Sequence, residues 1–173
     1  NLLAQKLRNM GGHVAWVQLQ AGDKNGNSVA ELYHKYFFTP QGAEAHRSSL
    51  TPGDWGFELC EELDVQDGDI RSVKTRHSAF VPGHSDLHQQ LQERGIENLL
   101  IGGTVTNFCC ETSARDAMML DYRVVMVSDC NAARFEEDHL NGLTTVFQSF
   151  GDVRDVEGTL ALLENGKTQG NQP

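Results

Sequence analysis

The sequence predicts an α/β domain built on a mainly parallel sheet, and three observations carry that prediction. Short apolar runs near 14–20, 70–74, 99–101 and 123–128 alternate with stretches of helical periodicity, the pattern of strand–helix–strand crossovers. The run at 99–101 breaks at Gly102 and Gly103 and is followed by a helical pattern in which Cys110, Ala114, Ala117 and Met118 share a face. That is a strand, a tight turn and a helix in succession. With 173 residues, the chain has the length of one domain with a real core.

Composition narrows the function classes. Fourteen Lys and Arg against 24 Asp and Glu leave a formal charge of −10, which argues against nucleic acid or an anionic membrane as a main partner. No apolar run approaches the roughly 20 residues of a membrane-spanning helix, and no signal peptide is visible. Cys60, Cys109, Cys110 and Cys130 form no C-x-x-C pair and no zinc-like spacing with histidine, so neither a disulfide framework nor a structural metal is indicated. A reducing, cytoplasmic setting fits.

The elements follow in order. Leu2, Leu3, Leu7 and Met10 recur at helical spacing before Gly11 and Gly12, so the chain opens on a helix with a glycine stop. Residues 13–20 read as a buried strand. The connection at 21–68 is long for an α/β domain and carries Tyr33, Tyr36, Phe37, Phe38, Trp55 and Phe57. It is either a lid or pocket wall, in the same subunit or across an interface, or a small core under the loop. His34 and His46 lie within it, but 19–24 offers no Asp and His cluster beside them, and a bound metal is not expected. After an Asp67-Gly68 turn, 70–74 is the next strand, with Lys74 at its C-terminal end, where open α/β sheets place their sites. A helix over 85–94 has Ser85 as cap, Leu87 and Leu91 inward and Gly95 as stop. Residues 123–128 form a further strand. Leu140, Leu143, Val146, Phe147 and Phe150 make an apolar stripe on a helix over 136–150. An edge strand at 153–156, a short helix at 158–163 and a polar tail at 164–173 close the chain.

The chemistry concentrates at the turn after 99–101. It lifts Cys109 to the end of a parallel strand and the first turn of a helix, where unpaired N–H groups and the helix dipole favour a thiolate and could hold an oxyanion. Two other readings stay open at this level: a phosphate cradle, although neither glycine-rich phosphate motif is present, and a merely packed thiol. Lys74 is by itself either a solvent-facing charge or, beside a thiolate, its stabilising partner.

Gly103-Thr104-Val105-Thr106-Asn107-Phe108-Cys109, followed by Glu111-Thr112-Ser113-Ala114-Arg115-Asp116-Ala117, resembles the nucleophile segment of the isochorismatase-like cysteine hydrolases. The strand at 14–20, the segment Val73-Lys74-Thr75-Arg76-His77-Ser78-Ala79-Phe80 and Val127-Ser128-Asp129 extend the resemblance over most of the chain. It implies a three-layer αβα fold with six strands in the Rossmann-like order 3-2-1-4-5-6, and a triad of Asp, Lys and Cys in which Lys74 and Cys109 hold two positions. It implies an oxyanion hole from the N–H groups of Val105 and Cys109, a cis peptide between Thr104 and Val105, and no cofactor. Arg76 and His77 are then pocket or structural residues. Gln20, Phe37, Trp55, Thr106 and Asn107 are the expected substrate contacts.

In the family, a first strand carrying the triad Asp precedes the opening helix and sits between the strand at 13–20 and the one at 98–102. Removing a central strand would leave two apolar edges with unpaired backbone groups, so this sequence is expected to be a single domain, 1–173, lacking its first strand; Asp23 is the nearby substitute. The resemblance lies with the amidohydrolase branch, which includes ureidoacrylate, N-carbamoylsarcosine and biuret hydrolases. The expected reaction is hydrolysis of a C–N bond in a small amide or ureido substrate through a thioester, with Lys74 and the Asp shuttling the proton to the departing amine. The alternatives are an isochorismatase-type vinyl-ether hydrolase and a non-catalytic binding or oligomerisation module. Homodimers or homotetramers are implied by the same resemblance.

Overall fold

Helix α1 (Leu2–Asn9) turns through Gly11, whose φ of +81° lies in the left-handed region, into strand β1 (Ala15–Leu19); glycine enters that region without a Cβ clash. These and all later elements come from a computed structural model that describes residues 1–169. β1 pairs in parallel with β2 (Ile70–Lys74), Ala15 opposite Ile70 and Leu19 opposite Lys74. Between them, the long connection holds α2 (Glu31–Phe37) and α3 (Pro40–Ser49), the latter capped by Thr39, whose hydroxyl accepts from the Gly42 N–H. After α4 (Leu87–Glu93), strand β3 (Asn98–Thr104) leads through a single π-helical turn, Thr106–Cys110, into α5 (Glu111–Met119). Strand β4 (Arg123–Ala132), α6 (Glu136–Ser149), β5 (Asp152–Arg154) and α7 (Val156–Gln169) complete the order.

The pairs β1-β2, β3-β4 and β4-β5 are all parallel, and the fold is α/β. Among the described residues the strands form two sheets, β1-β2 and β3-β4-β5, rather than one. The burial of β3 fits an unpaired side: Leu99, Leu100 and Ile101 are only half-buried, whereas strands inside a parallel sheet are normally hidden on both faces. In β4, by contrast, Met126 and Val127 are fully buried.

One core joins the elements around the second sheet: Leu87 and Leu91 of α4, Cys110, Ala114 and Ala117 beyond β3, Val124 and Met126 of β4, and Leu143 and Val146 of α6, with Ile70 and Phe80. Ala114 and Ala117 are wholly buried; their small side chains are what lets α5 lie close against β4. Ser85 does accept from the Leu87 N–H at the start of α4, at 3.2 Å.

Three expectations need correction. On α6, Leu143 and Val146 are buried and Phe150 packs against the core, but Leu140 and Phe147 are 53% and 65% exposed. The buried face is turned toward Gly142, itself buried, because a residue without a side chain lets that flank of the helix approach the nucleophile turn. Strand β4 runs four residues past the expected end, to Ala132, across a register shift opposite Gly102; a Cβ on Gly102 would sit 3.0 Å from Cβ of Cys130. The last helix begins before residue 158 and continues into the expected polar tail as far as Gln169; residues 170–173 lie outside the described residues.

Arg8 ties α1 to the entry of β2. Its guanidinium donates to both carboxylate oxygens of Asp69 at 2.9 and 2.6 Å and to Asp64, while the Trp16 indole donates to Asp69 at 2.7 Å. No helix among the described residues is long and apolar enough to cross a membrane.

Candidate active site

The C-terminal ends of β2 and β3 supply the site. Lys74, the last residue of β2, is 5% exposed, and its ammonium donates to the His77 carbonyl. The Gln20 N–H donates to the Lys74 carbonyl at 2.8 Å, carrying the β1-β2 ladder one step further. From the other sheet, β3 ends at Thr104, the Thr104–Val105 peptide is cis, and Gly103 has a φ of +141°. The π-helical turn then places Cys109 half-buried with its Sγ 3.9 Å from Nδ1 of His77, and Cys110 fully buried in the core.

The adjacent thiols are driven apart electrostatically. Burial pushes the Cys109 thiol up, but the hydrogen bond from His77 and the charge and hydrogen bond of Lys74 outweigh it, and the net result is a fall from 9.0 to about 7. Burial, reinforced by the neighbouring Cys109, pushes Cys110 up to about 12. At neutral pH the first sulfur is therefore available as a nucleophile and the second remains a thiol.

The surroundings are held by a short polar and aromatic scaffold. Thr106, wholly buried, hydrogen-bonds Nδ1 of His139 from α6 at 2.9 Å. Asn107 has its side-chain oxygen buried with no partner among the described residues. The His77 ring stacks on Phe108, with centroids 5.8 Å apart, and meets Tyr33 edge-on at 5.1 Å. His77 also lines a shallow depression of about 360 Å³ with Arg76, Ser78, Thr112 and Asp116.

The structure brings Lys74 and Cys109 together, with Thr106 and Asn107 in the turn that carries the cysteine and Gln20 beside Lys74. The Gln20 side chain turns away to donate to the Gly22 carbonyl at 2.9 Å. Phe37 is 76% exposed, though its ring packs on Tyr33 at 5.3 Å. Trp55 is 95% exposed, so it lines no site within this chain. The long connection is chiefly a small core of its own, in which Tyr33, His34, Phe38 and His46 pack ring against ring; of these rings Tyr33 touches His77, and the Val29 carbonyl accepts from Arg76 at 2.8 Å. Asp23 builds a turn, its carboxylate accepting from Asn25 and Asn27. The salt bridges of Arg8, Arg47, Arg115, Arg123 and Arg154 take up Asp64, Asp69, Glu44, Glu111, Glu97 and Asp152, and among the described residues no carboxylate forms an ion pair with Lys74.

Sequence reasoning missed one contributor, His139, and one contact, that of His77 with Cys109. His139 sits next to Leu140 in a stripe read as core, and only the meeting of α6 with the nucleophile turn reveals its bond to Thr106. His77 was visible beside Lys74, but its contact with Cys109 spans 32 positions and no spacing rule reports it.

The sequence pattern of the isochorismatase domain matches residues 1–158. The chain belongs to the isochorismatase family. Ureidoacrylate amidohydrolase RutB of Caulobacter vibrioides is 35% identical over 121 residues, which cover 68% of this chain and 53% of that protein. The chain thus spans about half the length of the curated relatives it matches. Among solved isochorismatase-like structures, a family protein from Burkholderia thailandensis superposes with a TM-score of 0.79 at 29% identity, covering 94% of this chain and 80% of that one. A cysteine hydrolase from Pseudomonas syringae superposes with a TM-score of 0.73 at 26% identity, covering 94% and 77%.

Proposed function

We propose that this isochorismatase-family chain forms the body of a cysteine hydrolase that cleaves a C–N bond in a small amide, ureido or carbamoyl substrate. The observation that carries the reading is Cys109 at the strand end, drawn down to about 7 between His77 and Lys74. The likeness to a ureidoacrylate amidohydrolase supports the choice of bond. The thiol proton of Cys109 passes to the Asp that partners Lys74, the thiolate attacks the carbonyl carbon, and that proton is returned to the nitrogen as the C–N bond breaks to leave a thioester; water, giving a proton to the same Asp, then cleaves the thioester to the acid and restores the thiolate. Lys74 stabilises first the thiolate and then the oxyanion, with the N–H groups of Val105 and Cys109 as the oxyanion hole.

Lys74 also motivates the rest of the site. A buried ammonium is costly unless a carboxylate offsets it, and the present structure gives it one carbonyl. We assign the balancing charge to an Asp on a further parallel strand between β1 and β3. That strand would join the two sheets into one of order 3-2-1-4-5-6 and pair the half-buried side of β3. Phe37 and Trp55, exposed here, would reach a substrate only across the interface of a homodimer or homotetramer.

A substrate panel on the full-length protein tests the reading. Ammonia or amine release from amides and ureido acids is expected. Pyruvate release from isochorismate instead would transfer the site to vinyl-ether chemistry, and no turnover of either class would leave it a binding module.

A further inference from the structure

The proposed reaction depends on where one short turn stands. Cys109 lies in the π-helical turn Thr106–Cys110, and the N–H groups of Val105 and Cys109 lie just before it and in it. Moving that turn by a fraction of an ångström would disturb both the attacking sulfur and the oxyanion hole. Its side support comes from α6.

We infer that His139 is a positioning residue of this site, whose Nδ1, bonded to the Thr106 hydroxyl, holds the nucleophile turn where Cys109 can attack. The inference rests on the hydrolase reading above and adds to it a residue that acts through Thr106 rather than by touching the substrate.

Geometry carries it. The two side chains stand 33 positions apart in the chain and meet at 2.9 Å. Thr106 is wholly buried, so its hydroxyl cannot turn to solvent for a partner, and a buried hydroxyl left unpaired is costly. Among the described residues His139 supplies the hydrogen bond that this hydroxyl makes. The role asks for no change of protonation, because a hydroxyl pairs with Nδ1 whether that nitrogen donates or accepts.

The bond is placed where it governs the turn. Thr106 is the first residue of the turn, and its carbonyl accepts from the Glu111 N–H at the start of α5. The Val105 carbonyl accepts from the N–H groups of Phe108 and Cys110, at 3.2 and 3.3 Å. The turn is thus wound about Val105 and Thr106, with Cys109 on the arc between these bonds. Anchoring Thr106 to α6 anchors Cys109 with it.

The same edge of α6 makes a second contact. Residues three apart share a helix face, and Gly142 lies three positions after His139. A Cβ on Gly142 would lie 3.1 Å from the Asn107 Cα and 3.3 Å from the Glu111 carboxylate. A side-chain bond and a close backbone approach therefore hold the turn side by side. Behind them Leu143 and Val146 are buried in the core, so the imidazole stands on a fixed support.

The test compares the full-length native protein with His139→Leu and His139→Asn. Leucine and asparagine have nearly the same shape, but only the amide offers a polar atom close to the place of Nδ1. On a hydrolysed amide, His139→Leu is expected to lower kcat by about tenfold or more with KM within about twofold. It should also slow iodoacetamide alkylation of Cys109 by about threefold or more, as the sulfur moves off the Lys74 ammonium. His139→Asn should recover most of both losses. A merely structural role would lower the melting temperature and leave kcat and alkylation of the folded protein unmoved. Folded His139→Leu with native kcat and alkylation overturns the inference, and so do equal losses in the two variants, since the bond would then not be what acts. Should His139→Leu not fold, Thr106→Val removes the same bond from its other end and is judged in the same way, with Thr106→Ser as its rescue. A native protein with an unreactive Cys109 and no turnover would remove the hydrolase reading together with this role. A reactive native protein matched by His139→Leu would remove this role alone.

Discussion

Gly142 on α6 and Asn107 in the nucleophile turn meet backbone to backbone: a Cβ on Gly142 would lie 3.1 Å from Asn107 Cα and 3.3 Å from its nitrogen. Helix propensity alone favours alanine over glycine by about 0.5–1 kcal/mol, but the atoms in the way are main chain and have no rotamer to yield. Gly142→Ala is therefore expected to destabilise the protein by about 1–2 kcal/mol and to slow Cys109 alkylation by shifting the turn that carries it. Thermal unfolding and alkylation rates on the same sample check this. A variant that is both more stable and equally reactive would show that the two segments are not rigidly packed.

Cys109 and Cys110 are neighbours in sequence and opposites in environment, one drawn down to about 7 and the other pushed up to about 12. Cys109→Ser should abolish turnover and selective labelling. Cys110→Ala should keep both, at a stability cost of about 1–2 kcal/mol for the lost sulfur packing in the core. Mapping the labelled peptide in each single variant separates them, and labelling that followed Cys110 would reverse the assignment.

What was legible in the sequence was local. The alternation of apolar runs gave the parallel α/β class, Ile70–Lys74 matched its strand end to end, and the glycine break after 101 placed Cys109 in a turn leading into a helix. Burial of Cys110, Ala114 and Ala117 on one face followed from 3.6-residue periodicity. What was not legible depends on how elements meet. The stripe on α6 overcounted Leu140 and Phe147 because periodicity sees side chains and not the glycine that sets the approach. The aromatics of the long connection were read as lid or small core, and only coordinates show Tyr33 touching the site while Trp55 stands in solvent. The His77–Cys109 contact joins the ends of two sheets, which no single stretch of sequence contains.

Lys74→Met keeps the length of the side chain and removes its charge. With the ammonium gone, burial acts on Cys109 with less opposition, so its midpoint should move up from about 7, and turnover should fall by about a hundredfold or more as oxyanion stabilisation is lost. Stability should fall by about 3–5 kcal/mol, since Lys74 is 5% exposed and its removal leaves the Asp assigned to it buried without its cation. Alkylation against pH and urea unfolding measure the two effects separately. Unfolding of the variant under native conditions would make Lys74 a structural cation instead.

Asp69 gives the fold its acid limit. Its carboxylate is held down to about 2 from an ordinary 3.8, first by the Arg8 hydrogen bond, against the opposing effect of burial, and then by bonds from the Gln66 N–H and the Trp16 indole. A group whose folded value is depressed contributes stability that is fully present above its unfolded value and lost as pH falls toward the folded one, so the window here is about pH 5 down to about 2. Asp69→Asn should cost about 2–3 kcal/mol at neutral pH, where a charged hydrogen-bonded pair is broken and Arg8 is left partly buried without it. The gap between native and variant should then narrow steadily through that window as the native carboxylate takes up its proton. Urea unfolding midpoints at a series of pH values measure it. Curves that stay parallel down to about pH 2 would mean that Asp69 is not what ties α1 to β2 against acid.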